Sequence, residues 1–556
     1  MHASIRLAVP ALVTALLAAC GGGSPDQGAA ATPLRLAAGG PAPGVAVGPE
    51  TVAAAGATGD TATETSETTE TTVVTAAVSR AATGVPQGAP LPPPPVPQAN
   101  ADGASLTVST AGFIDAANAF FTPMGNGRTC ATCHSESAGW SVTPRGLAQR
   151  FQQSAGADAI FRLVDGANSP AAPTVTLDQK RLAYSMLLTK GLIRVGMAMP
   201  AGAEFSLARA DDPYNFASAR ELSLFRRPLP SANLKFLSSV MWDGRESPAA
   251  TGAAGVNCLL GARPAQCYAS LDSGLLAQAS DAVRGHAEAA QELSAADQRA
   301  IVNFESGLFA AQVTSSAAGS LLEASASGGP VALSGTDFYF GINDLEAGDY
   351  RTRAPFNRTV MAMFGAWRNL DAPPAPPRPG TAPAGPRNPP APASTVNTAR
   401  AAIARGEALF NNRPFNIAQV AGFPQRAGQQ GATRGSCASC HSTPNAGSHS
   451  TPLLLDIGVA DGRFRTPDMP LYTLRNNATG ATVATTDPGL AMLTGRWADV
   501  GKMKVPVLRN LAARAPYFHN GAQADLQGVV RFYDRRFQIG LTPQEVTDLT
   551  AFLKAL

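Results

Sequence analysis

The chain is 556 residues long, with an apolar share of 45% and a formal net charge of +3 from 43 basic and 40 acidic side chains. That length can bury sizeable cores in more than one domain, and the mixed charges form no basic stripe, so no nucleic-acid partner is implied. Seven cysteines and six histidines are few enough to assign one by one.

Residues 1–19 read as a lipoprotein signal peptide. A weakly basic start at Arg6 leads into an apolar run from Leu7 to Ala18, which contains Pro10 and is too short to span a bilayer. Leu17-Ala-Ala-Cys20 resembles a lipobox, with Cys20 as the lipidated residue; the alternative is an ordinary signal peptide with a coincidental cysteine. The expected location is the periplasm, anchored to a membrane through Cys20, with the outer membrane favoured. Residues 20–103 are rich in Ala, Gly, Thr and Pro. They bury too little apolar surface to offset chain entropy, so a disordered tether is expected. No later stretch is long and apolar enough for a membrane helix.

The first folded region is expected over 104–370. An amphipathic helix over 111–121 would carry Phe113, Ile114, Phe120 and Phe121, and then comes Cys130-Ala-Thr-Cys133-His134. C-x-x-C-H is the spacing of c-type haem attachment: two thiols a short turn apart add to two vinyl groups, and the adjacent His sits under the iron. A zinc or dithiol site is the alternative for C-x-x-C alone. The long segment after it contains helical pieces such as Arg181–Thr189, and Met197 and Met199 read as core. Val240-Met-Trp242-Asp-Gly-Arg245 places a turn directly after a tryptophan, a packing residue or a stepping stone for electrons. Cys258 and Cys267 form a close pair, expected as a disulfide in an oxidising compartment rather than as free buried thiols. A helical run over 275–292 holds Gln278, His286 and Glu288. At ~100° per residue, His286 and Glu288 would lie about 80° either side of Gln278, unless Gly285 breaks the helix. A further helix over 295–312 opens at Ser294 and puts Ile301, Phe304, Leu308 and Phe309 on one face.

A Pro-rich linker over 371–398 separates this from a second region, 399–556. It opens with a helix over 401–411 and repeats the haem motif as Cys437-Ala-Ser-Cys440-His441. Two complete copies in an exported chain favour haem over zinc. Lys504-Val-Pro-Val-Leu-Arg-Asn510 and Ala515-Pro-Tyr-Phe-His-Asn-Gly521 follow, then a helix over 526–534 with Tyr533. The last helix starts at Thr542-Pro-Gln-Glu545, a capping sequence with Pro in the first turn. With His2 in the signal and His134 and His441 as proximal ligands, only His286, His449 and His519 remain for other iron chemistry.

The ordered set of haem motif, Trp-Asp-Gly-Arg, haem motif, Val-Pro-x-Leu-Arg-Asn and Pro-Tyr-Phe-His-x-Gly resembles the bacterial di-haem cytochrome c peroxidases. These include the relative that builds the tryptophan tryptophylquinone cofactor. The likeness covers both folded regions and is strongest over 497–556. It implies an all-α fold of two cytochrome c-like domains, each with one covalent c-type haem, and an active site near their interface. It also implies reduction of hydrogen peroxide to water at the first haem, with electrons passed from the second. By the same likeness Trp242 is the inter-haem tryptophan, and Gln278 and Glu288 are the distal pair, displaced by an insertion holding Cys258 and Cys267. His519 matches the family histidine. Tyr533 stands where peroxidases place the Met ligand of the second haem and the cofactor-building relative has Tyr; Met503 competes for that iron.

The segment between His134 and Trp242 is much longer than in typical peroxidases. The family's calcium-binding Asn position falls near Arg227 and Pro228, which counts against calcium. No clear counterpart of the family's distal His exists, leaving His286 as the nearby one. His449 is a propionate contact or a surface residue. Splitting peroxide needs a group that moves a proton between its oxygens: Glu288 or His286, with Gln278 orienting the substrate. The expected electron donor is a periplasmic small c-type cytochrome or cupredoxin. Two other classes fit the motifs, a di-haem oxygenase or protein-modifying oxidase, and a non-catalytic electron-transfer cytochrome.

Overall fold

The structure is a computed structural model that describes residues 94–247, 256–259, 266–372, 394–424 and 432–556. The expected signal peptide with Cys20, nearly all of the tether, most of the Pro-rich linker and the turn between Cys258 and Cys267 lie outside the described residues. The described residues fall in one compact unit. Among them no helix is long and apolar enough to cross a membrane.

The expectation of an all-α fold is corrected: helix makes up 31% and strand 18%, in several antiparallel sheets. One sheet runs β1 (Gln98–Asn100), β2 (Gly103–Ser109), β8 (Leu308–Ser315), β9 (Gly319–Ser320). A second joins β4 (Phe205–Asp211) to β13 (Leu471–Asn476) and β14 (Thr482–Thr485). Smaller ribbons pair β3 (Ile193–Met197) with β5 (Leu222–Arg226) and β12 (Leu454–Leu455) with β15 (Met503–Lys504). In the hairpin of β6 (Val256–Leu259) and β7 (Gln266–Ala269), Cys258 stands directly opposite Cys267 in the backbone register.

The helix expected over 295–312 shows why strand was missed. Helix α5 (Ala295–Ser306) stops at Gly307, and the chain continues as β8, with Ala311 opposite Leu106 of β2. Leu308 to Ala311 are all buried, and a short continuous apolar run fits a buried strand as well as a helix. The helix expected over 111–121 shrinks to a single turn, Ala119–Phe121. Asp115 and Asn118 take the backbone N–H groups of Ala117 and Phe120 on their side chains, offering the chain local turns in place of helix.

The remaining helices follow their sequence signals. Helix α4 (Leu271–Gly285) ends where Gly285 stands, with His286 as its cap. Helices α7 (Thr395–Asn412), α9 (Leu526–Phe537) and α10 (Pro543–Lys554) build the second haem-motif region, and Thr542 and Glu545 close a reciprocal capping box on α10. Gly406 lets α7 cross α10 at close range: a Cβ there would meet the Asp548 carbonyl oxygen at 2.0 Å. Phe364, Trp367, Phe410 and Phe552 fill the core beside that crossing.

Candidate functional site

Both C-x-x-C-H stretches adopt the same local structure. The first makes a single turn, Cys130–Thr132, capped reciprocally by Thr129 and Thr132; the second turns at Cys437–Ser439, where Ser439 Oγ accepts from the Ser436 N–H at 3.1 Å. The four motif thiols are unbridged, and burial pushes them up, Cys133 to about 11 and the other three to about 12. Each histidine is anchored by its Nδ1 at a backbone carbonyl, His134 at Trp140 (3.1 Å) and His441 at Gly447 (2.6 Å). Such an anchor fixes the ring and leaves Nε2 free for a metal. Burial keeps both imidazoles neutral, with His441 lowered to about 4 and His134 below its ordinary value.

Each motif opens into its own cavity. One is lined by Cys130, Cys133, His134, Gln278, His286 and Glu305. The other is lined by Cys437, Cys440, His441, Met503, His519 and Tyr533. The two share a wall that contains Trp242, Arg227, Lys504 and Arg514. The Trp242 indole N–H donates to the Arg227 carbonyl at 2.8 Å, and its ring meets that of His519 edge to face at 6.1 Å.

The shared wall is cationic. Arg227 donates to the carbonyls of Lys190, Val142 and Arg514, Arg514 to those of Asn510, Val507 and Arg509, and Lys504 to that of Ser239. Among the described residues none of the three has a carboxylate partner, and burial lowers Arg227 and Arg514 to about 10 and Lys504 to about 7. Buried cations without anions are costly, so this wall calls for negative groups inside the cavities. A porphyrin with two propionates, fixed by two thiols and one imidazole, meets every one of these demands, and the cavities fit haem.

On the first cavity, Gln278 and His286 line the space. The Nδ1 of His286 stands 2.6 Å from Asp165 Oδ2. Glu288 goes elsewhere: with φ at +51° its exposed side chain accepts from Asn126 Nδ2 at 2.8 Å. The chain leaves α4 at its cap His286 and turns at Glu288, which parts the two side chains. Glu305 was missed by sequence reasoning. It is 5% exposed, its Oε1 has no hydrogen-bond partner among the described residues, and burial pushes its carboxyl up to about 8. Its signal was its place one turn after Ile301 on the apolar face of α5. Asp165 carried no local signal.

On the second cavity, Tyr533 stacks on Phe537 (6.1 Å, 17°) and its hydroxyl makes no hydrogen bond to the described residues; burial raises its pKa. Met503, on β15, lines the same space. His519 is 3% exposed and lowered by burial to about 4, and its Nε2 stands 4.0 Å from Asp487 Oδ2, with no hydrogen-bond partner among the described residues. His449 is buried beside Thr451 and lines neither cavity. Met197 and Met199 pack against the core formed by β4, β5 and β13. Among the described residues no three His, Cys, Asp or Glu side chains converge as a metal-ion cluster.

No model of a known protein family matches the chain. Similarity to individual proteins is found over part of it. The chain is 36% identical over 140 residues to Cytochrome-c peroxidase IdrP1 of Pseudomonas sp. (strain SCT), which is 22% of this chain and 36% of that protein. It is 40% identical over 76 residues to Cytochrome c peroxidase Ccp of Escherichia coli (strain K12), 13% of this chain and 16% of that one. To Cytochrome c551 peroxidase of Nitrosomonas europaea it is 31% identical over 121 residues, 22% and 30% of the two chains. The matched stretches span between 16% and 36% of the length of these relatives.

Proposed function

We propose that this chain, which belongs with the di-haem cytochrome c peroxidases, reduces hydrogen peroxide to water at its first cavity with electrons passed from its second. The observation that carries this reading is the pair of cavities, each with a complete C-x-x-C-H set, meeting at Trp242. Cys130, Cys133 and His134 would hold one haem covalently, and Cys437, Cys440 and His441 the other, with Tyr533 or Met503 completing the second iron. When bound, the haems supply the redox chemistry and the site at which a peroxide oxygen is activated.

The chain's own residues do the rest. Gln278 orients the peroxide, and His286 takes a proton from one peroxide oxygen and returns it to the other as the O–O bond breaks. The geometry favours His286 over Glu288, whose carboxylate is held at Asn126. Overall, one peroxide, two electrons and two protons give two waters. Trp242 provides the path between the cavities, with its N–H on a neutral carbonyl. The electrons come from a small periplasmic c-type cytochrome or cupredoxin, and Cys20 tethers the protein to the outer membrane.

The test is steady-state turnover of hydrogen peroxide with reduced cytochrome c, set beside oxygen uptake on organic substrates. Peroxide-dependent oxidation of the cytochrome supports the proposal. Oxygen uptake without peroxide turnover selects instead a di-haem oxygenase or protein-modifying oxidase, a reading that Tyr533 in the lining of the second cavity favours. Neither activity leaves an electron-transfer cytochrome.

A further inference from the structure

Asp165 lies in none of the motifs. It sits in the long segment between His134 and Trp242, in the loop between helix α1 (Pro144–Ser154) and helix α2 (Leu177–Ala183), and is 4% exposed. Its Oδ2 stands 2.6 Å from His286 Nδ1, across 121 residues of sequence. Arg128, two residues before Cys130, closes on the same carboxylate at 2.7 Å to Oδ1 and 2.8 Å to Oδ2. That guanidinium also donates to the His286 carbonyl at 2.9 Å and to the carbonyls of Ala159 and Ile160. One cation therefore holds both the carboxylate and the backbone of the histidine it contacts. Burial works to raise the Asp165 carboxyl, but the hydrogen bond and charge of His286 and the charge of Arg128 outweigh it and hold it below the usual range.

An ionised acceptor at Nδ1 keeps a proton on that nitrogen and leaves Nε2 as the ring's free position. The arrangement of carboxylate, imidazole and reacting space is that of an oriented general base.

We propose that Asp165 is a positioning residue, fixing the tautomer and orientation of His286 so that Nε2 serves the first cavity as proton acceptor. The inference rests on the reading of that cavity as a haem site that receives small protonated ligands. It explains what the long segment after the first haem motif contributes: it delivers a buried carboxylate to a histidine that lines the cavity.

The test uses the haem-loaded protein and two ligands that must each give up a proton there, hydrogen cyanide at neutral pH and hydrogen peroxide. Association of both is followed by stopped-flow absorbance in wild type, D165N, H286Q and the double variant, with haem content and thermal unfolding measured for each. D165N is expected to slow both reactions about 10- to 100-fold, the usual effect of losing a partner that orients a functional histidine. The double variant is expected to be no slower than H286Q. Asp165→Ser carries the same expectation where D165N does not fold. Wild-type rates in D165N or Asp165→Ser overturn the inference, as does a double variant slowed by the product of the single effects, which marks a general structural role. The cyanide arm stands whether or not peroxide is the substrate, so a wild type inert to peroxide removes the functional reading alone.

Discussion

His286 and Glu288 are two residues apart, yet one lines the first cavity and the other bonds Asn126 at the surface. His286→Gln is accordingly expected to slow peroxide reduction about 10²- to 10⁴-fold, the range of a lost general acid–base, while Glu288→Gln leaves it near wild type; stopped-flow rates with peroxide decide. Glu305 gives a pH dependence. Its folded value, about 8, lies above the ordinary 4.5 because of burial. The folded protein thus binds this proton more tightly than the unfolded chain, and stability falls as pH rises from about 4.5 to 8. Thermal unfolding is expected to find Glu305→Gln no less stable than wild type near pH 5 and increasingly more stable toward pH 8. A gap that stays constant with pH contradicts it. Tyr533 lines the second cavity, and a phenolate ligand lowers the potential of a ferric haem. Tyr533→Phe is expected to change the electron paramagnetic resonance of one iron and raise its midpoint potential, with Met503→Leu leaving both in place.

At the scale of elements, the parts legible in the sequence were those specified by neighbours in the chain. The C-x-x-C-H turns, the capping box at Thr542 and the break at Gly285 are local events, and they stand where spacing puts them. The sheets were not legible, because β2 finds β8 and β4 finds β13 across more than a hundred residues, and no periodicity announces a partner so distant. The same distance hid Asp165 from His286, and the missed strand at Leu308 followed from an apolar run that either structure accepts. The close crossing of α7 and α10 yields its own prediction. Gly406→Ala puts a methyl group against the Asp548 carbonyl and should cost about 1–3 kcal/mol, as overpacking usually does, read by chemical denaturation.

At the scale of the molecule, two cavities with matching motifs share one wall of buried cations and one tryptophan. Among the described residues Arg227, Lys504 and Arg514 find only carbonyls as hydrogen-bond partners, so the wall calls for anions entering from both sides. Across this wall the Lys504 backbone N–H donates to the Trp242 carbonyl at 2.8 Å, joining the linings of the two cavities. The most direct measurement is the mass of the denatured mature polypeptide. Two covalently retained haems per chain are the expected result; one haem or none contradicts the account.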